Sequence, residues 1–133
     1  MAEVHVAVKG AIDLDLDTRA TLALVVERYV TTVLQYQRYI AVYTREDKSL
    51  PPDDAQRANA SRRAFFAMLA RFIEKGRDEG VLKTGDPLLS ALELGGSVTW
   101  MAFWYVDGGR LEPREIAALV TRSTMMMLDA VER

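Results

Sequence analysis

The chain contains no cysteine and only one histidine, His5. The lack of cysteine excludes disulfides and thiolate metal sites, and it is compatible with a cytoplasmic protein. A lone histidine near the N-terminus gives little basis for a Ser-His-Asp triad or for a carboxylate–histidine metal site within a helical bundle. We therefore expect no enzyme activity, no metal and no cofactor.

Motifs of catalysis and phosphate binding are also missing. The sequence has no Gly-x-Ser-x-Gly, no glycine-rich phosphate loop and no His-Glu-x-x-His. Positive charge is not in excess either, since the formal net charge is −2 and the pI about 5.4. We expect this chain alone to bind neither nucleic acid nor an anionic membrane.

One apolar run, residues 87–106, is long enough to be considered as a membrane span. Glu93 lies in its middle, glycine, serine and threonine dilute it, and no basic cluster flanks it. No basic leader followed by an apolar core begins the chain. A buried helix of a bundle explains this composition better, and we expect no membrane association.

The pattern that is present is helical. Half of the 133 residues are hydrophobic and 27% are charged, as expected for one globular domain. Apolar residues recur every three or four positions and predict helices over residues 18–46, 53–79, 87–106 and 113–131, with a break near 35–38 as an alternative. Residues 1–17 fit either strand or helical periodicity, and we favour a helix ending near Gly10 followed by a loop. The predicted fold is all-α, an antiparallel bundle of four to five helices.

Local signals mark the ends of these helices. Asp17 or Thr18 can cap the first long helix, and Gly80 is a suitable C-terminal glycine for the second. Asp86-Pro87 predicts the next start and Gly108-Gly109 the next stop. The last helix begins after Glu112, with Pro113 in its first position and Glu115 in its first turn.

The helix predicted over residues 87–106 is too apolar to be covered by one neighbour. We expect it to form an antiparallel hairpin with the last helix and to be covered further by a second subunit, a ligand or both. Gly95-Gly96 would permit close approach of a helix or ligand, although a local kink is an alternative. Met125, Met126 and Met127 surround the last helix, so at least one should face a partner.

Aromatic residues are concentrated on three of the predicted helices. They can pack as a closed core, or they can surround a pocket for an apolar or aromatic ligand. Glu93 is either turned to solvent, paired with arginine or placed for a ligand. The candidate ligand-binding residues are Tyr36, Tyr39, Phe65, Met68, Phe72, Glu93, Trp100 and Trp104.

The chain resembles the C-terminal domain of TetR-family transcriptional regulators over roughly residues 18–133. The residues that carry the resemblance are Tyr43-Thr44-Arg45-Glu46, Arg62-Arg63-Ala64-Phe65, Gly76 with Gly80-Val81-Leu82, Asp86-Pro87, Leu94-Gly95, Trp104-Tyr105, Gly108-Gly109-Arg110-Leu111, Pro113 and Glu115-Ile116-Ala117. Each motif alone is weak, but their order and spacing are moderately specific. Glu112 departs from the Ser-like cap that is frequent in the family.

The resemblance implies a domain that binds an effector and forms a homodimer, in which the last two helices of each subunit build a four-helix bundle. The candidates for that interface are Leu88, Leu92, Gly95, Gly96, Thr99, Val120, Ser123, Met127 and Leu128. It also implies a ligand-binding and dimerisation domain at residues 18–133, preceded by an N-terminal remnant, or a short helix and loop, at residues 1–17.

A helix-turn-helix unit, which family members carry before this domain, has no room in residues 1–17. We expect either a fragment of a longer regulator or a regulator without its DNA reader. The favoured function is effector sensing in a repressor-type regulator. The alternative is a stand-alone dimerisation or protein-interaction module that uses the surface of residues 100–105 and has no ligand.

Overall fold

Our computed structural model describes residues 2–130, apart from the side chains of Thr44 and Asp47, and this part of the chain is helical without any strand. Its helices are α1 (Ala2–Ile12), α2 (Thr18–Gln35), α3 (Gln37–Glu46), α4 (Pro52–Asp78), α5 (Pro87–Trp104) and α6 (Pro113–Met127), with a 3₁₀ turn at Asp47–Ser49. The all-α prediction is confirmed. The helix predicted over residues 18–46 is divided at Tyr36, which lies within the region where a break was the alternative.

Side-chain caps and a left-handed glycine define several helix ends, as the sequence predicts. The Asp17 carboxylate accepts a hydrogen bond from the backbone N–H of Ala20 at 2.8 Å and begins α2. The Asp86 carboxylate accepts from the N–H groups of Leu88 and Leu89 and begins α5. Gly80, with φ +75°, follows the end of α4.

Helix α5 ends two residues before the predicted position of Val106. Tyr105 has an extended backbone, and the last carbonyls of the helix meet a side chain from α3. The amide nitrogen of Gln37 donates to the carbonyl oxygen of Ala102 at 3.1 Å and to that of Tyr105 at 2.6 Å. These two bonds satisfy carbonyl groups that a helix end leaves without a partner.

The last helix, α6, ends at Met127 rather than near Val131. The backbone turns at Asp129, whose φ of +46° is left-handed and does not continue a right-handed helix. Val131, with which we ended the predicted helix, lies outside the described residues.

Residues 2–12 adopt the helical alternative. Val4, Val8 and Ala11 are buried at helical spacing, because α1 packs against α2. The guanidinium of Arg28 on α2 adds a bond of 3.4 Å to the carbonyl oxygen of Ala7.

Helix α2 lies at the centre of the bundle and contacts α1, α3, α5 and α6, while α4 packs mainly on α5. Its buried side chains are Thr18, Thr21, Leu22, Val25, Val26, Tyr29, Val30, Val33 and Leu34. Helices α5 and α6 have less contact with each other than either has with α2. The predicted hairpin is therefore only loosely packed within one chain.

None of the helices within residues 2–130 combines the length and apolar character that crossing a bilayer requires.

Candidate functional site

A cavity of about 460 Å³ lies mainly between α2, α3 and α4. This size falls within the usual range for sites that bind small molecules. Its lining is mostly apolar or aromatic, with a few polar groups. The lining residues are Val4, Tyr29, Val33, Tyr39, Ile40, Tyr43, Leu50, Asp54, Arg57, Ala58, Ser61, Arg62, Phe65, Phe66 and Thr99.

Three aromatic rings form one wall of this cavity. The rings of Tyr29 and Phe65 meet edge to face with centroids 5.2 Å apart, and those of Phe65 and Phe66 do so at 5.3 Å. Phe66 lies directly over Gly95 of α5, where an added Cβ atom would overlap the Phe66 ring. The missing side chain at Gly95 is what allows α4 to bring this ring against α5.

Tyr29 supplies a buried hydroxyl group at the same wall. Its side chain is 3% exposed, and its oxygen lies 3.4 Å from the Thr99 hydroxyl of α5. Burial raises the pKa of Tyr29 to about 12, and the hydrogen bond with Thr99 opposes this rise. The hydroxyl is therefore neutral at physiological pH, able to donate or accept a hydrogen bond.

The mouth of the cavity combines two tyrosines with charged residues of α4. The rings of Tyr39 and Tyr43 are stacked with centroids 6.0 Å apart at 15°. The guanidinium of Arg57 pairs with the Asp54 carboxylate, and both groups are largely solvent-exposed. Arg62 donates to the side-chain oxygen of Asn59 at 3.2 Å.

Of the predicted ligand-binding residues, Tyr39 and Phe65 line this cavity. Met68 and Phe72 line a second, smaller cavity of about 240 Å³ between the loop after α1 and helix α4. Tyr36 is half-buried against the core and lines neither of these two cavities. The structure thus places residues predicted for one pocket at three separate positions.

Glu93, Trp100 and Trp104 face outward from α5 and line neither of these two cavities. Trp100 is 63% exposed, and its ring lies 5.1 Å from that of Phe103 on the same surface. The buried side of α5 consists mainly of smaller residues, namely Ala91, Leu94, Gly95, Val98, Met101 and Ala102. Because the helix packs closely on α2 and α4 through these residues, its large rings remain outside.

Sequence reasoning missed several residues of the cavity, and one detectable signal was their spacing along α4. Asp54, Arg57, Ser61 and Phe65 recur at intervals of three or four and so share one side of that helix, and Arg62 is adjacent to Ser61. From the sequence alone, Arg57 and Arg62 look like part of an ordinary solvated face. Both side chains are exposed, but they also line the rim of the cavity.

The predicted interface residues are divided between the core and the surface. Leu128 is 1% exposed and Gly95 is covered by Phe66, so these two candidates lie in the core of the chain rather than on its surface. Thr99 is half-buried at the cavity wall and Val120 is half-buried against the core. The residues that do lie on the surface are Leu88, Leu92, Gly96, Ser123 and Met127.

Exposed apolar side chains are concentrated on α5 and α6. Those on α5 are Leu88, Leu89, Leu92, Trp100, Phe103 and Trp104, and those on α6 are Leu119, Met126 and Met127. We call this set the α5–α6 surface. Gly96 lies within it, and a Cβ atom there would meet nothing within 4 Å. Apolar patches of this kind mark interaction sites in folded proteins.

The titratable residues do not assemble into a metal site in the described part of the chain: no three His, Asp or Glu side chains are close enough to hold an ion. His5 instead contacts the ring of Phe65, with ring centroids 5.9 Å apart.

Comparison with known proteins agrees with this architecture. A family described as "Tetracyclin repressor-like, C-terminal domain" matches residues 15–128. A bacterial regulatory protein of the tetR family from Rhodococcus RHA1 has a similar structure, with a TM-score of 0.88 and 24% identity over 97% of this chain and 68% of that chain. The TetR-family transcriptional regulator PfmR from Thermus thermophilus gives a TM-score of 0.83 and 20% identity over 99% of this chain and 70% of that one.

No match to a curated protein was found. The family match covers most of the chain, and the two structural likenesses support the same fold. Proteins of this family are transcriptional regulators and not enzymes. The chain therefore belongs to the TetR family, as a C-terminal domain of the tetracyclin-repressor-like type.

Proposed function

We propose that this chain is the effector-sensing and dimerisation domain of a repressor-type transcriptional regulator that acts in the cytoplasm. The observation that carries the proposal is the cavity between α2, α3 and α4, with its apolar lining and its few polar groups. Regulators of this family act as dimers and bind small-molecule effectors. The effector proposed here is a small molecule with an apolar or aromatic body.

Ligand binding can be tested by a thermal-shift screen of apolar and aromatic molecules followed by titration. Ligand at about 100 times its dissociation constant should add about 2.7 kcal/mol to the free energy of unfolding. The Ala58→Phe variant should fill the cavity and abolish the shift. Ala60→Phe, on the exposed side of α4, is the matched control and should retain it. A broad screen without any shift would contradict effector sensing.

Dimerisation is proposed through the α5–α6 surface. An obligate interface buries well over ~1,500 Å² in total, and both helices offer exposed rings and aliphatic side chains for it. Sedimentation should show a dimer at micromolar concentration. Leu92→Glu and Trp100→Glu should each give monomers, whereas Val42→Glu, at an exposed position of α3, should remain dimeric. A wild-type monomer would exclude this arrangement.

In a full-length regulator, we propose that ligand occupancy alters the spacing of two DNA-binding units and so their fit to half-sites. This chain alone should not bind duplex DNA specifically, in line with its net charge of −2. Sequence-selective binding of this chain in a gel shift at physiological salt would contradict that expectation.

A second candidate function is supported by the exposed cluster of Trp100, Phe103 and Trp104. In this alternative the chain is a protein-interaction module without a ligand, and the aromatic cluster binds a different protein. The two candidates differ in the Ala58→Phe variant, which should be functionally silent if the cavity has no ligand.

A further inference from the structure

The character of the main cavity changes from charged to apolar along helix α4. Asp54, Arg57 and Arg62 lie toward the N-terminal half of the helix, and Phe65 and Phe66 follow them. From residue 54 to residue 65 the helix rises about 16 Å at ~1.5 Å per residue. A ligand that lies along α4 in this space meets the charged groups first and then the rings of Phe65 and Phe66.

The charges at the mouth do not cancel. Arg57 is already paired with the Asp54 carboxylate. Arg62 donates to Asn59, whose side chain is neutral, and no carboxylate among the described side chains pairs with it. A guanidinium has five N–H donors, so Arg62 retains donors for a further acceptor. The mouth therefore has a net charge of +1 from these three ionised side chains.

We propose that the cavity takes an elongated carboxylic acid, with the carboxylate at Arg62 and the apolar body along Phe65, Phe66 and Val33. Among the described side chains, Arg62 is the one arginine of the mouth without a carboxylate partner, and one such charge favours a carboxylate over a phosphate group with a charge near −2. The stacked rings of Tyr39 and Tyr43 also line the cavity. This inference rests on the proposed function, because it assumes that the cavity binds a ligand.

The experiment compares acids with neutral amides of nearly the same shape. Calorimetric titration of the whole chain uses an aliphatic pair, decanoate and decanamide, and an aromatic pair, naphthoate and naphthamide. In at least one pair the acid should bind about fivefold more tightly than the amide, the upper end for an exposed ion pair. Raising the ionic strength from about 0.01 M to about 1 M should remove most of this preference, because the Debye length falls from about 30 Å to about 3 Å.

Charge variants identify the side chain that causes the preference for the acid. Arg62→Gln should abolish the advantage of the acid over the amide. Asp54→Asn should increase the advantage, because it releases Arg57 from its ion pair. Arg63→Gln is the matched control, since Arg63 carries the same charge on the same helix but does not line the cavity. It should retain the preference, and equal thermal stability of the variants will show that each is folded.

The possible results are distinguishable. Equal affinity for acid and amide in every pair that binds would overturn this inference and leave effector sensing intact. An equal loss in Arg62→Gln and Arg63→Gln would also overturn it, because the preference would then come from the overall charge of the helix. Failure of both members of both pairs to bind, combined with a screen that yields no ligand, would overturn the proposed function and this inference together.

Discussion

The hydroxyl groups of Tyr29 and Thr99 lie 3.4 Å apart and join α2 to α5 at the wall of the cavity. Replacing Thr99 by valine should leave the buried tyrosine hydroxyl without this partner. A buried polar group that loses its partner costs about 1–3 kcal/mol, and the long distance favours the lower end of that range. Urea unfolding of Thr99→Val should show a loss of about 1 kcal/mol.

A double-mutant cycle with Tyr29→Phe isolates the contribution of this pair. The two substitutions together should cost less than the sum of the single substitutions, because the phenylalanine leaves no hydroxyl to satisfy. Thr31→Val, at an exposed position of α2, is the control and should change stability by less than about 0.5 kcal/mol. Strict additivity of Thr99→Val and Tyr29→Phe would show that the hydroxyl groups do not interact.

The raised pKa of Tyr29 predicts a loss of stability at alkaline pH. Below the ordinary pKa of 10.0, the folded and unfolded chains both keep the phenolic proton. Between this value and the folded-state pKa of about 12, the unfolded chain releases the proton more readily, so stability falls as pH rises. The shift of about two units corresponds to about 2–3 kcal/mol at ~1.36 kcal/mol per unit.

Denaturant titrations from about pH 9 to about pH 12 on the wild type and on Tyr29→Phe would measure this effect. The difference in unfolding free energy between the two proteins removes the contributions of the other titrating groups. Parallel curves over the whole range would contradict the assigned pKa.

The adjacent glycines of α5 should respond oppositely to alanine. At Gly95 a Cβ atom would overlap the Phe66 ring, and overpacking of this kind costs about 1–3 kcal/mol. Within one chain, a Cβ atom at Gly96 would meet nothing within 4 Å, so the higher helix propensity of alanine should add up to about 1 kcal/mol to the stability of the monomer. Thermal unfolding of the two variants tests the opposite signs, and Phe66→Leu should partly rescue Gly95→Ala.

The hydrogen bonds of Gln37 to the C-terminal end of α5 predict that the stability of a Gln37→Glu variant depends on pH. In Gln37→Glu, a carboxylate would face the carbonyl oxygens of Ala102 and Tyr105, which are all acceptors. We expect a loss of about 1–2 kcal/mol at neutral pH. Repulsion should raise the pKa of the new carboxyl group above about 4.3, so acidification should recover part of the loss.

Gln37→Ala lacks the carboxylate and is the control for this effect. Gln37→Ala should also be less stable than the wild type, but the difference in unfolding free energy should not change with pH in the acidic range. Equal pH dependence of the two variants would argue against the assigned contacts of Gln37.

The helix starts and stops could be predicted because the signals for them are local. Asp17, Asp86 and Gly80 each act on the backbone within a few residues, and all three perform the predicted role. The end of α5 was missed by two residues, and there Gln37, which is distant in sequence, donates to the carbonyl oxygens of Ala102 and Tyr105. Contacts of that kind leave no trace in local sequence patterns.

The composition of the cavity wall was less predictable than the fold. Helix α5 is apolar on most sides, so its periodicity does not indicate which side faces inward. We assigned the largest rings, Trp100 and Trp104, to the interior, whereas close packing on α2 and α4 selects the smaller residues instead. Where a helix is uniformly apolar, the size of the space next to it decides its orientation, and only the assembled structure contains that information.

The break at Tyr36 has a practical consequence for protein engineering. It makes α3, which contributes Tyr39, Ile40 and Tyr43 to the cavity, a ten-residue helix distinct from the central α2. Substitutions at these three positions can reshape the recognition surface while the valine-rich centre of α2 stays intact. A small library restricted to α3 is thus a suitable starting point for converting this scaffold into biosensors with new selectivities.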